Sequence, residues 1–193
     1  MGILSITEAN NCKIALWEIT ETLKELLQLS HTISIPDFNT EKRKKEWLAS
    51  RLLLNKISPN TALSYNEFGA PELNNGRYIS ISHSKGFVAI IISKQQVGLD
   101  IEEISDKALR VSSKFISTNN LKALTAEKAT LIWCCKEAVF KWHQKGNVDF
   151  INDIIIQPFL VEEKGEINAE FKHDPLTLFY TKINSHFLVY VCN

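Results

Sequence analysis

The sequence predicts an α+β fold built from two similar halves, and three observations carry that reading. Two helix-forming stretches, EKRKKEWLASRLLLNK (41–56) and EKATLIWCCKEAVFKW (127–142), align without a gap. Glu41, Lys42 and Trp47 fall on Glu127, Lys128 and Trp133. Two hairpin-forming stretches, YISISHSKGFVAIII (78–92) and YTKINSHFLVYVC (180–192), resemble each other in the same way. Each half therefore runs helix, long loop, hairpin. Such a duplication implies a pseudo-twofold axis, with residues 1–95 as the first half and 96–193 as the second. Pockets favour the seams between such units, so the active site is expected there.

The elements follow in order. Within 12–28, Ile14, Leu16 and Ile19 suit a strand, and Leu23, Leu26 and Leu27 a short helix. A helix is expected from Asn39 or Thr40 as N-cap to a stop at Ser58-Pro59, with Trp47, Leu48 and Leu52 on its apolar face. Residues 64–76 hold Gly69, Pro71, Asn74, Asn75 and Gly76 and read as loop. Three strands follow at 78–82, 87–93 and 97–102. After a polar stretch, 105–125, Thr125 caps a second long helix that stops near Gly146. Apolar runs at 150–160 and 165–172 precede a final hairpin, 176–183 and 187–192.

Composition narrows the function. The chain has 193 residues, 22 basic and 22 acidic, so its formal net charge is zero. Nothing global points to nucleic acid or to an anionic membrane. No apolar run approaches the ~20 residues that span a bilayer, and the first residues do not read as a secretion signal. Cys12, Cys134, Cys135 and Cys192 show no metal-ligand spacing. The adjacent Cys134 and Cys135 suit reduced thiols better than disulfides, and a cytoplasmic protein is expected.

Chemistry concentrates in two places. In VGLDIEEIS (97–105), alternation on a strand puts Gly98, Asp100 and Glu102 on one face and Leu99, Ile101 and Glu103 on the other. Two carboxylates beside a glycine, which would let a ligand approach, form a hard-cation arrangement of the kind Mg²⁺ shares with substrate phosphates. Glu103 is the spare. In the second long helix, Lys136, Glu137 and Lys141 sit among Leu131, Ile132, Trp133, Val139 and Phe140. A helix apolar nearly all round is buried, and buried charges are paired or functional. A third carboxylate with two ammoniums suits a Mg²⁺–diphosphate. His83, between Ser82 and Ser84 at a strand end, is the remaining polar candidate.

These residues carry a family resemblance. Gly98-Leu99-Asp100-Ile101-Glu102, followed by Trp133 and then Lys136-Glu137-Ala138 with Lys141, resembles the signature of the 4′-phosphopantetheinyl transferases of the Sfp type. ISHS (81–84) is similar to that family's Ser-His motif and Gly69-Ala70-Pro71 to its G-K-P motif. Arg51 matches an arginine of the first helix, and KFIST (114–118) a segment leading to the second. Two departures stand out: Ala70 replaces the usual Lys, and Asn119 and Asn120 replace the usual Glu. One phosphate contact is then either missing or supplied elsewhere, with Lys56 and Arg77 as the candidates.

The resemblance implies the transferase fold, a pseudo-dimer of two α/β subdomains. It implies transfer of 4′-phosphopantetheine from coenzyme A to a serine of an apo acyl or peptidyl carrier protein. Asp100, Glu102 and Glu137 would hold Mg²⁺ or Mn²⁺. Glu137, Lys141 and Asp100 would be catalytic. Arg51, Gly69, Ser82, His83, Asp100, Lys136 and Lys141 would bind coenzyme A, whose nucleotide end lies on the N-terminal side. A monomer would suffice, because one chain holds both halves. Lys107, Arg110, Lys114 and Lys122, interleaved with Leu109, Phe115 and Leu121, would face an acidic carrier. The alternative is an inactive coenzyme A-binding or interaction protein that retains the fold.

Overall fold

The computed structural model describes residues 2–30, 35–117 and 124–193. Asn119, Asn120, Leu121 and Lys122 lie outside those residues. Two antiparallel sheets form the frame. The first holds β1 (Ile3–Ala9), β2 (Cys12–Glu18), β3 (Leu63–Tyr65), β4 (Pro71–Leu73), β5 (Tyr78–Ser84) and β6 (Phe87–Ser93), in the order β1-β2-β6-β5-β4-β3. The second holds β7 (Val97–Glu103), β8 (Ile154–Ile156), β9 (Lys164–Phe171), β10 (Asp174–Ile183) and β11 (His186–Cys192), in the order β7-β11-β10-β9-β8. Helices α1 (Leu23–Leu29) and α2 (Glu41–Ile57) follow β2; α3 (Asp106–Arg110) and α4 (Ala126–His143) follow β7.

With β1 set aside, the two sheets share one topology. A leading strand, β2 or β7, is followed by a long helix, α2 or α4. Four strands then return so that the last, β6 or β11, pairs with the leading strand. The fold is thus a pseudo-dimer of two α/β subdomains, and the duplication extends to the order of strands.

Side-chain alternation builds the layers. On β6, Val88, Ile90 and Ile92 face α2, with Leu48, Leu53 and Ile57 beneath them. Its other face, Phe87, Ala89 and Ile91, meets Val97, Leu99 and Ile101 of β7 and Leu188 of β11. The far face of the second sheet, with Phe187, Val189 and Val191, packs under Leu131, Cys135 and Val139 of α4. The order is helix, sheet, sheet, helix. Both faces of β6 are covered, which is why it reads as an unbroken apolar run.

Local chemistry sets the boundaries. Thr40 and Thr125 cap α2 and α4 by accepting from the N–H of Arg43 and Lys128. Gln144 ends α4 in the left-handed region, φ 62°. β7 is an edge strand, and β5 satisfies its free N–H groups with a ladder of serines. Ser80, Ser82 and Ser84 accept from the N–H of Leu99, Ile101 and Glu103 at 3.0, 3.3 and 3.1 Å. The ISISHS pattern therefore joins the two halves.

Three expectations need correction. Gly98 does not open space for a ligand: a Cβ there would stand 2.0 Å from the Ala138 carbonyl oxygen and 2.7 Å from Trp142 Cβ. It is glycine because α4 crosses β7 at that point. Cys134 and Cys135 are free and buried, as expected, but Cys12 and Cys192, for which no pairing was expected, form a disulfide between β2 and β11. The stretch 64–76, read as loop, holds most of the short strand β3 and all of β4. No described helix is long and apolar enough to cross a membrane.

Candidate active site

Asp100 sits at the seam, on the face of β7 turned to α4, and is only 3% exposed. Its Oδ1 accepts from Lys141 Nζ at 2.6 Å and from Ser82 Oγ at 2.7 Å. Lys141 Nζ also donates to Ser82 Oγ at 2.9 Å. Asp100 Oδ2 is buried and has no hydrogen-bond partner among the described residues. Such an orphan is rare in a folded chain.

Two more carboxylates converge on it. Glu102 Oε1 accepts from Trp133 Nε1 at 3.2 Å, and Oε2 from Ser84 Oγ at 3.5 Å. Burial, and then the charge of Asp100, push its pKa up. Glu137 reaches in from α4 and makes no hydrogen bond or ion pair with the described residues. Burial first and Asp100 second raise it to about 7, against the pull of Lys141. Burial works against the charge on Lys141, but Asp100 and Glu137 outweigh it and raise its pKa. Among the described residues no three His, Cys, Asp or Glu side chains already stand as a closed ligand set. Glu103, on the opposite face, pairs with Lys85 at 2.5 Å.

Beside this cluster, a cavity of about 310 Å³ opens between α2 and the C-terminal end of α4. Arg43, Trp47, Arg51, Tyr65, His83 and Lys141 line it, with Gly69 and Ala70 at its edge. The Arg51 guanidinium lies over the Trp47 ring at 4.4 Å and donates to Tyr65 Oη at 2.7 Å. Gly69, at φ +78°, belongs to a turn that Asn66 knits by accepting from the N–H of Phe68 and Ala70. Asn66 Nδ2 in turn reaches the Gln144 carbonyl at 3.4 Å. His83 Nε2 accepts from Arg43 Nη1 at 2.6 Å, and its Nδ1 lies 3.5 Å from Glu46 Oε2.

The structure thus gathers Asp100, Glu102, Glu137 and Lys141 at one point, and Arg51, Gly69, His83 and Lys141 around the adjoining cavity. Ser82 lies between them. Its hydrogen goes to Asp100 and its lone pairs to Lys141 and Ile101 N–H, which leaves it no donor for a phosphate. Lys136 is elsewhere. Adjacent residues on a helix point about 100° apart, so Lys136 leaves the Glu137 face for a second cavity of about 330 Å³ on the far side of α4. Its ammonium donates to the carbonyls of Phe150 and Ile154, and burial lowers its pKa to about 8. Neither Lys56 nor Arg77 lines the first cavity; Arg43 does, beside Arg51 and Lys141. Sequence reasoning passed over Arg43 and Glu46, although Arg43, Trp47 and Arg51 recur at i, i+4 and i+8 on one face of α2.

The family model of the 4′-phosphopantetheinyl transferase superfamily matches residues 96–189, which carry β7, α4 and the carboxylates. A 4′-phosphopantetheinyl transferase, gsp, of Aneurinibacillus migulanus is 28% identical over 134 residues, an alignment covering 66% of this chain and 56% of that protein. Over residues 96–189 the chain is similar to the 4′-phosphopantetheinyl transferase superfamily. It spans little more than half the length of that relative. Asp100, Glu102, Glu137 and Lys141 fall inside the family match; Arg51, Gly69 and His83 precede it.

Proposed function

We propose that the protein transfers 4′-phosphopantetheine from coenzyme A to a serine of an apo acyl or peptidyl carrier protein, releasing adenosine 3′,5′-bisphosphate. The observation that carries this reading is Asp100. Its carboxylate is buried, one oxygen is held by Lys141 and Ser82, the other has no partner, and a cation-lined cavity opens beside it. A buried, singly paired carboxylate with two more acids near it fits a hard divalent cation. Asp100, Glu102 and Glu137 would hold Mg²⁺, or Mn²⁺ in its place. Bound there, the ion would neutralise charge on the coenzyme A diphosphate.

The chain's own residues do the rest, chiefly by positioning and charge. Arg43, Arg51, Gly69 and His83 receive the nucleotide end in the cavity. Asp100 keeps Lys141 charged and aimed, so its ammonium meets the diphosphate and gives a proton to the departing phosphate oxygen. Glu137, unpaired and titrating near neutrality, takes the proton of the carrier serine. The serine oxygen forms the new bond to the β-phosphorus as the bond to the bridging oxygen breaks. Ser82 orients Asp100, and Lys136 fastens α4 to the segment around β8.

On this reading residues 1–95 supply the coenzyme A side, residues 96–193 the metal and proton chemistry, and a monomer suffices. The cytoplasm, where coenzyme A is made, is the compartment that fits. There a reducing environment would open the Cys12–Cys192 bond. The carrier would dock on Lys107, Arg110 and Lys114, which are exposed along α3 and the turn after it. Phe115 is no anchor for a partner, because it is fully buried against Trp133.

With coenzyme A, Mg²⁺ and an apo carrier, adenosine 3′,5′-bisphosphate should appear in step with the carrier added. Coenzyme A that binds and stabilises the protein with no release across acyl and peptidyl carriers would instead favour a fold-retaining binder.

A further inference from the structure

The most specific polar contact in the first cavity belongs to His83. Arginine has no acceptor, so Arg43 must donate to His83 Nε2 at 2.6 Å. The neutral ring then carries its hydrogen on Nδ1, the atom facing Glu46 Oε2 at 3.5 Å. Glu46 is only 5% exposed, and Lys42 and Arg43 approach its two oxygens at 3.7 and 4.0 Å. A neutral His83 therefore presents a lone pair to the cavity. A phosphate oxygen also presents lone pairs. The two repel unless His83 takes a proton on Nε2 and Arg43 swings away.

We infer that Glu46 is the positioning residue of this cavity, and that it couples capture of a phosphate to uptake of one proton by His83. Glu46 fixes which nitrogen faces the ligand and supplies the counter-charge for the imidazolium that forms. Arg43, released from Nε2, becomes a second donor to the same anion. The groups facing His83 are few. Arg43 and Glu46 come from α2, with Lys42 behind the carboxylate. Lys141 comes from α4, and Lys85 lies two residues along the chain. In the free protein burial lowers the His83 pKa, with Arg43 and Lys141 adding to it and Glu46 opposing. His83 is thus uncharged near neutrality until an anion arrives. The anion adds negative charge and relieves the repulsion from Arg43. Binding then weakens as pH rises, by up to about tenfold per unit for one linked proton.

This inference rests on the cavity being the nucleotide end of the proposed site, so adenosine 3′,5′-bisphosphate is the probe. Its affinity is measured by calorimetry from pH 6 to 9 for the wild type, His83→Gln and Glu46→Gln. Gln at 83 keeps an N–H donor but does not titrate, so that variant reports the phosphate's own protonation. The wild type should show the steeper pH dependence, with additional proton uptake in buffers of different ionisation enthalpy. Glu46→Gln should fall to the shallow slope of His83→Gln, whatever its affinity. Equal slopes for wild type and His83→Gln, with tight binding, would overturn the coupling and leave the site intact. A wild type that does not bind the probe at any pH would overturn both.

Discussion

Lys141 and Asp100 lie 2.6 Å apart, and after burial, the largest cause, their opposing charges set how Glu137 titrates. A carboxyl raised from 4.5 to about 7 prefers its neutral form in the folded chain. Between those values the folded protein holds more protons than the unfolded one, so stability falls as pH rises. Without divalent ions, the wild type should lose up to about 3 kcal/mol by this group between pH 4.5 and 7. Glu137→Gln should flatten that slope in urea titrations. Asp100→Asn removes the second-largest cause of the shift, so the Glu137 carboxyl, followed by NMR, should titrate lower than in the wild type. The same change strips Lys141 of its counter-ion. It should cost ~2–3 kcal/mol, less than a fully buried pair would, because the Lys141 side chain is 27% exposed. It should also slow the proposed transfer at least ~100-fold. At this scale the sequence was only partly legible. Alternation on one strand named Asp100 and Glu102, and helical spacing joined Glu137 to Lys141. The Glu46–His83 contact joins residues of different elements, so no local periodicity announces it. Lys136 was misplaced because its motif neighbours are close in sequence and apart on the helix wheel.

Helices α2 and α4 and strands β5, β6 and β7 were readable because their caps, apolar faces and turns all agree. β1 was not, since its order comes from pairing with β2. β3 and β4 are three residues each, too short for alternation to register among Gly, Pro and Asn. The seam is where elements constrain one another most. Gly98→Ala would drive a methyl into the α4 backbone at 2.0 Å. It should cost about 3 kcal/mol or more and lower the thermal midpoint sharply. Gly76→Ala, strained by φ +74° but facing open space, should cost only about 1 kcal/mol. Similar losses for the two would contradict the account of why glycine stands at 98.

For the whole molecule, the Cys12–Cys192 bond closes a loop of sequence separation 180 between the leading strand of one half and the last strand of the other. A chain-entropy model gives about 5 kcal/mol for a loop of that length as an upper bound. Reduction should therefore lower the urea midpoint without changing the far-UV spectrum of the folded state. An unchanged midpoint would mean that the seam's apolar core and serine ladder hold the halves by themselves. On α3 and the turn after it, Arg110→Glu or Lys114→Glu should raise the KM for an acidic carrier and leave coenzyme A affinity alone. An unchanged KM in both variants would move the docking surface elsewhere.

The central claim is that the Asp100 cluster transfers phosphopantetheine. The most direct test is the intact mass of an apo acyl carrier protein after incubation with this protein, coenzyme A and Mg²⁺, beside an Asp100→Ala control. The account predicts a gain of one phosphopantetheine that requires Mg²⁺ and disappears in the control. No gain across acyl and peptidyl carriers, or an equal gain with Asp100→Ala, would contradict it.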